Sequence, residues 1–193
     1  YINKFINKGV IFLKSESCYL SYDTKIEPNV VIEGNVTIKN NITIKNGCVI
    51  KNNSYLEGAV INSNCIIGPS ARIRPKSFIG KNSKIGNFVE IKNSKIGNNV
   101  AISHLSYVGD AYLGNNVNIG AGTITCNYDG HKKQKTIIKD NVFIGSNSSL
   151  IAPIVIETNS IIGAGSVITK NIPKKSLAIE RTDLKILRNK RVK

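Results

Sequence analysis

Aliphatic residues return at every sixth position over most of this chain, and that spacing restricts the fold more than any motif does. Ile26, Ile32, Ile38, Ile44, Ile50 and Leu56 form one series, Ile61, Ile67, Ile73, Ile79, Ile85 and Ile91 a second, and Ile138, Ile144, Leu150, Ile156, Ile162 and Ile168 a third. Between the last two the register slips and resumes at Ile96, Ile102, Val108, Leu113 and Ile119. An amphipathic helix would repeat its apolar positions at three and four residues, and a sheet with one wet face would alternate. A spacing of six fits a short strand followed by a tight turn.

The flanking residues agree with that reading. Two positions before many of the aliphatics stand small or β-branched side chains, as at Val36, Cys48, Ser77, Ser83, Val89, Val100, Thr136, Ser160 and Ser166, which suits a second inward slot on a period-two strand. Just after them come Gly34-Asn35, Asn40-Asn41, Asn46-Gly47, Asn52-Asn53, Asn98-Asn99, Asn115-Asn116 and Asp140-Asn141, residues that tolerate the left-handed backbone of a sharp corner. Glycine often follows the aliphatic directly, as at Gly68, Gly80, Gly86, Gly97, Gly109, Gly114, Gly120, Gly145 and Gly163, and is read as part of the same corners.

Hexapeptide periodicity is a signature of a parallel β-helix. The pattern resembles the left-handed hexapeptide β-helix family, in which three hexapeptides make one triangular coil. The resemblance implies an all-β fold, a single-stranded left-handed parallel β-helix. Residues Ile26 to about Asn171 would then supply roughly eight coils, a prism on the order of 40 Å long at about 4.8 Å per coil. The hand comes from the resemblance, since parallel crossovers are in general right-handed.

With 193 residues and 41% hydrophobic content the chain has ample material for a packed interior. It contains no Met and starts at Tyr1, so it reads as a piece of a longer product. No apolar run approaches the roughly 20 residues of a membrane span, and no signal-peptide pattern opens the chain; a soluble, cytoplasmic protein without a membrane partner is expected. The net charge of +15 allows nucleic acid, acidic lipid or phosphate compounds as partners. Recognised nucleic-acid motifs are missing and the few aromatics form no stacking pattern, so no nucleic-acid partner is expected and most lysines read as exposed corner residues. Cys18, Cys48, Cys65 and Cys126 lack metal-ligand spacing, so no metal site is expected. Cys48 and Cys65 fall in inward slots and read as buried thiols.

Three regions follow. Residues 1–24 read as a linker and junction with an apolar strand from Val10 to Leu13 and a polar, irregular stretch after it. Residues 25–172 form the β-helix, broken by a loop insertion at 123–135 that carries TITCNYDGHKKQK. Residues 173–193 form a basic tail, with a strand at Ser176–Ile179, a short basic helix at Thr182–Arg191, and the cations Lys185, Arg188, Lys190, Arg191 and Lys193.

His104 lies two residues after the inward Ile102, on a corner or a face, and imidazole is the side chain best suited to exchange protons near neutrality. Arg74, Lys92, Tyr107 and Asn118 recur near multiples of the coil length from it. On the residues alone a solvated corner histidine is an equal reading. His131, flanked by lysine, reads as surface.

The strings RIRP (72–75), GNFVEIKNS (86–94), SHLSYVGDAYLGNNVNIGAGTITCNYDG (103–130) and KTIIKDNVFIGS (135–146) resemble the acetyltransferase domain of the GlmU family of bifunctional enzymes. That family joins glucosamine-1-phosphate N-acetyltransferase to N-acetylglucosamine-1-phosphate uridyltransferase. The resemblance implies that His104 is the general base and that Glu90 orients or polarises the site. It implies that Arg74, Lys92, Tyr107, Asn118 and Lys133 hold the amino-sugar phosphate, for which several cations and a bidentate Arg are suited. Ala121, Asn127, Tyr128, Ser146, Ala164 and Arg181 would serve acetyl-CoA, a co-substrate rather than a tightly bound cofactor. The family's members are homotrimers with active sites between subunits. Magnesium would belong only to a uridyltransferase domain preceding Tyr1. GVIFLKSESCYLSYD departs from the family's junction, with Lys14-Ser15 where Asp-Pro is usual, so this chain is expected to acetylate and not to transfer a uridylyl group. Another hexapeptide acyltransferase with a different amino-sugar or hydroxyl acceptor, and a non-catalytic scaffold, are the alternatives; a metal-dependent hexapeptide hydratase would need three histidines.

Overall fold

The computed structural model describes residues 1–181; the helix expected at Thr182–Arg191 and the tail cations from Lys185 onward lie outside the described residues. Short strands of two to four residues stack in parallel into three sheets of ten, nine and eight strands. Successive strands belong to successive sheets, so the chain winds as a three-sided parallel β-helix of about nine coils. Each sheet is one face of the prism.

The six-residue series is its core. Ile67, Ile85, Ile102 and Ile119 pair in register up one face, as do Ile73, Ile91 and Val108 on the next, and all are buried. The small residues before them are buried too, including Val36, Ser83, Val100 and Ser160. Cys48 and Cys65 stack in neighbouring coils of the interior, the Cys65 amide donating to the Cys48 sulfur at 3.4 Å. The Cys48 sulfur and burial together push the Cys65 thiol above its ordinary range. Thr125 takes an aliphatic's place in the column, accepts from the Gly109 amide at 2.8 Å and donates to the Gly109 carbonyl at 3.1 Å. Its hydroxyl thereby satisfies strand groups that would otherwise be buried without partners.

The corners are largely asparagine in left-handed backbone, with φ between 46° and 61° at Asn93, Asn99, Asn116, Asn141 and Asn159 among others. Five of them form a side-chain ladder, each amide donating to the next carboxamide oxygen from Asn64 through Asn82, Asn99 and Asn116 to Asn141. The glycines after the aliphatics do a different job from the one expected. Of these, only Gly68 has positive φ. At Gly80, Gly86, Gly97, Gly120 and Gly145 an added Cβ would overlap the backbone of the next coil, so the constraint is coil-to-coil contact rather than turn conformation.

Two boundaries move. The β-helix begins before residue 25: Ile11–Phe12 pairs with Val31–Ile32 and Tyr19–Leu20 with Thr37–Lys39. Only Ile11–Phe12 of the expected Val10–Leu13 is strand, and a short helix, Asn3–Ile6, precedes it and buries Phe5. At the other end Leu177–Ala178 pairs with Ile161–Ile162, so the prism continues past residue 172. The insertion is also narrower than 123–135, because Ile124–Cys126 is a strand of the nine-stranded face. The extra chain lies between Cys126 and Thr136, closed by a bridge from Tyr128 to Lys133.

Candidate active site

The register slips fall at one corner, where the nine-stranded face turns into the eight-stranded one. Leu56 to Ile61, Ile91 to Ile96 and Val108 to Leu113 are each one residue short of the hexapeptide. Gly58, Asn93 and Asp110 make the turn there with φ of 55°, 46° and 50°. The insertion leaves the prism at the same corner. Beside it lies a recess of about 360 Å³ lined by Arg74, Pro75, Lys76, Lys92, Asn93, Asp110 and Lys133.

Three of the residues expected to hold a sugar phosphate, Arg74, Lys92 and Lys133, therefore meet in one place. Arg74 Nη1 donates to Glu90 Oε1 at 2.7 Å, and that carboxylate raises the guanidinium above its usual range. Lys133 beside it pulls the Lys92 ammonium below the ordinary lysine range, with Arg74 adding to the effect and Asp110 opposing it. Crowded cations of this kind favour an anionic ligand. Tyr107 lies along the same face, its ring covering Gly109, with its hydroxyl 3.5 Å from Asn127 Nδ2. Asn118 pairs with Ala101 on the ten-stranded face instead.

His104 ends strand Ala101–His104 of the ten-stranded face, at the corner where that face turns into the nine-stranded one, across the latter from the recess. It pairs in register with Asn87, and His104 Nδ1 lies 2.6 Å from Asn87 Oδ1. A carboxamide oxygen only accepts, so Nδ1 is the donor, and in the neutral ring the lone pair is then at Nε2. The side chain that bonds the His104 ring is thus Asn87, while the Glu90 carboxylate is engaged by Arg74.

Ala121, Ser146 and Ala164 each stand two residues after Ile119, Ile144 and Ile162, which pair in that order above Ile102. They form a row of small residues rising from His104 along one corner, tied by Asn147 N to Ala121 O at 2.7 Å and Gly165 N to Ser146 O at 2.8 Å. Three coil steps of about 4.8 Å put Ala164 about 14 Å above His104. Arg181 reaches the top of the row beside Gly165. Asn127 and Tyr128 do not join this row. Asn127 is buried at the insertion corner, donating to Asp110 Oδ2 at 2.5 Å, and Tyr128 is exposed on the loop.

The loop is folded on Asp129. Its Oδ1 accepts from the amides of His131 at 2.9 Å and Lys132 at 2.8 Å, and its Oδ2 from Gln134 Nε2 at 3.2 Å. These bonds, the Lys132 amide foremost, hold its carboxyl down at about 2. Because the folded value lies below the unfolded one, the loop's support is complete above about pH 4 and fades as pH falls toward 2. Asp129→Ala is expected to speed amide exchange at His131 to Gln134 with the melting temperature unchanged; unaltered exchange would remove Asp129 from this role.

Asn87, Lys76, Asp110 and Thr125 are the neighbours that reading the sequence missed. The signal was available for Lys76 and Asp110, which stand at corner positions taken elsewhere mostly by asparagine.

Fold and repeats together define a parallel β-helix of hexapeptide repeats. Residues 23–58 and 135–170 match the bacterial transferase hexapeptide (six repeats), and residues 59–129 match the GMPPB C-terminal domain. The resemblance to the C-terminal acetyltransferase domain of the bifunctional protein GlmU holds at high identity: 64% over 107 residues with the protein of Thermodesulfovibrio yellowstonii, and 59% over 103 residues with that of Wigglesworthia glossinidia brevipalpis. These matches take in 55% and 53% of this chain and only 24% and 22% of those relatives. Among solved structures, LpxA from Acinetobacter baumannii superposes with a TM-score of 0.73 at 17% identity, covering 89% of this chain and 71% of that one, a likeness of fold. PerB from Caulobacter crescentus, solved with CoA and GDP-perosamine, matches with a TM-score of 0.55 at 25% identity over 60% of this chain and 54% of its own.

Proposed function

We propose that this chain transfers the acetyl group of acetyl-CoA to the amine of glucosamine-1-phosphate, giving N-acetylglucosamine-1-phosphate in the cytoplasm for cell-wall precursor synthesis. The observation that carries the reading is a histidine with its Nε2 free, at the foot of a row of small residues. In the proposed step Nε2 takes a proton from the amine, the nitrogen lone pair attacks the thioester carbon, and the C–S bond breaks. The imidazolium then returns the proton to the leaving thiolate. Ala121, Ser146 and Ala164 leave room for an extended pantetheine arm, and Arg181 stands where the carrier's phosphates would lie. Direct transfer needs proximity and a base, and no acyl-enzyme.

Arg74, Lys92 and Lys133 hold the sugar phosphate. On one chain they occupy the edge opposite His104, so a complete cleft joins the histidine edge of one copy to the cationic edge of the next, with Asn127 and Tyr128 on the latter. Such a contact joins two different surfaces and closes into a ring; three copies are proposed. The uridyltransferase activity and its magnesium are left to the remainder of the bifunctional relatives.

Labelled acetyl-CoA with glucosamine-1-phosphate, other amino sugars and hydroxyl acceptors tests the reading. Label is expected on the amine of glucosamine-1-phosphate, with no labelled protein when the acceptor is omitted. Transfer to a nucleotide-linked amino sugar instead, the kind of ligand bound to PerB, would move the assignment to another hexapeptide acyltransferase. No transfer to any acceptor, with salt-sensitive DNA retention, would favour a scaffold.

A further inference from the structure

Among the described residues, Asp110 is the one carboxylate lining the cationic recess, and its bonds join three coils. Its side chain accepts from Asn93 of the preceding coil and from the buried Asn127 that opens the insertion. Its amide donates to the Lys92 carbonyl at 3.0 Å, and its own carbonyl accepts from Thr136, where the insertion rejoins the prism, at 3.4 Å. It holds this place in left-handed backbone, φ 50°, a conformation that a non-glycine residue adopts at a cost.

We propose that Asp110 is the positioning residue of the recess: it anchors both ends of the insertion and serves as the internal counter-charge that lets Lys92 and Lys133 face one anionic acceptor together. The inference rests on the recess holding the acceptor's phosphate, as proposed above. The charged and titratable groups around Lys92 are Lys133 from the loop, Arg74 and Lys76 from the coil before, Glu90 on its own strand, and Tyr107 and Asp110 from the coil after. Glu90 is committed to Arg74, which leaves Asp110 to offset the lysine pair. This agrees with the opposing influences of Lys133 and Asp110 on Lys92.

Asp110→Asn keeps the side-chain shape, removes the charge and leaves one acceptor oxygen where Asn93 and Asn127 now find two. In the full chain, KM for glucosamine-1-phosphate is expected to rise roughly tenfold, the scale of one lost charge-assisted contact, with kcat and KM for acetyl-CoA within about twofold. The alkaline limb of the acceptor's 1/KM profile should move to lower pH, and Lys133→Gln in the same background should move it back. Equal losses for both substrates, or an unmoved limb, would overturn the proposal. A titration of the Lys92 side chain by NMR separates this inference from the assigned activity, since it needs no turnover. A lower Lys92 midpoint in Asp110→Asn is expected, and an unchanged midpoint sinks the counter-charge role even where acetyl transfer is robust.

Discussion

Replacing His104 by Ala is expected to lower kcat for acetyl transfer to glucosamine-1-phosphate by roughly 10²–10⁴, the usual worth of a positioned general base. The side chain is exposed and makes one hydrogen bond, to Asn87, so thermal stability should stay within about 0.5 kcal/mol of the parent. A stopped-time assay with labelled acetyl-CoA decides the matter: activity within twofold of the parent would show that His104 is not the base. Asn87→Ala should reproduce part of the loss, since it releases the ring and its tautomer while leaving Nε2 in place.

The second large effect falls on the core. Ile85 is buried between Ile67 and Ile102 in the aliphatic column, and its backbone belongs to ladders on both sides that cannot collapse inward. Ile85→Ala is expected to cost about 2–5 kcal/mol, combining lost transfer energy with the cavity left behind. Denaturant unfolding measures it, and a loss under about 1 kcal/mol would mean that neighbouring coils close the gap.

Much of this architecture was legible because one period governs core and corners alike. The inward slots and the left-handed asparagines lie where the spacing of six puts them. What escaped the reading escaped for a physical reason. Phe12, Leu20 and Ile26 are the inward residues of the first coil, but the 3₁₀ turn at Ser15–Ser17 stretches the first interval to eight positions and erases the period. Asn87 was hidden by a single residue: a coil of eighteen aligns His104 with Gly86, whereas the coil here is seventeen, shortened at Asn93. Glu90 entered through the family resemblance, as a residue that orients or polarises the site, and its bond to Arg74 on the nine-stranded face had no signal in the spacing. The cationic half of the site was readable, since Arg74 and Lys92 are one full coil apart. Its carboxylate was not, since Asp110 shows its role only through Asn93 and Asn127, partners on other coils.

The insertion lengthens one coil to an interval of 25 residues, and the asparagine ladder spans that interval with a side-chain bond of 3.0 Å, from Asn116 to Asn141. Above it Phe143 and Ile144 sit on Asn118 and Ile119 in unbroken register. The excursion, tied to the prism at its two ends, therefore leaves the register of the column above it undisturbed. Its length and composition can vary while Ser146 and Ala164 keep their places in the row above His104.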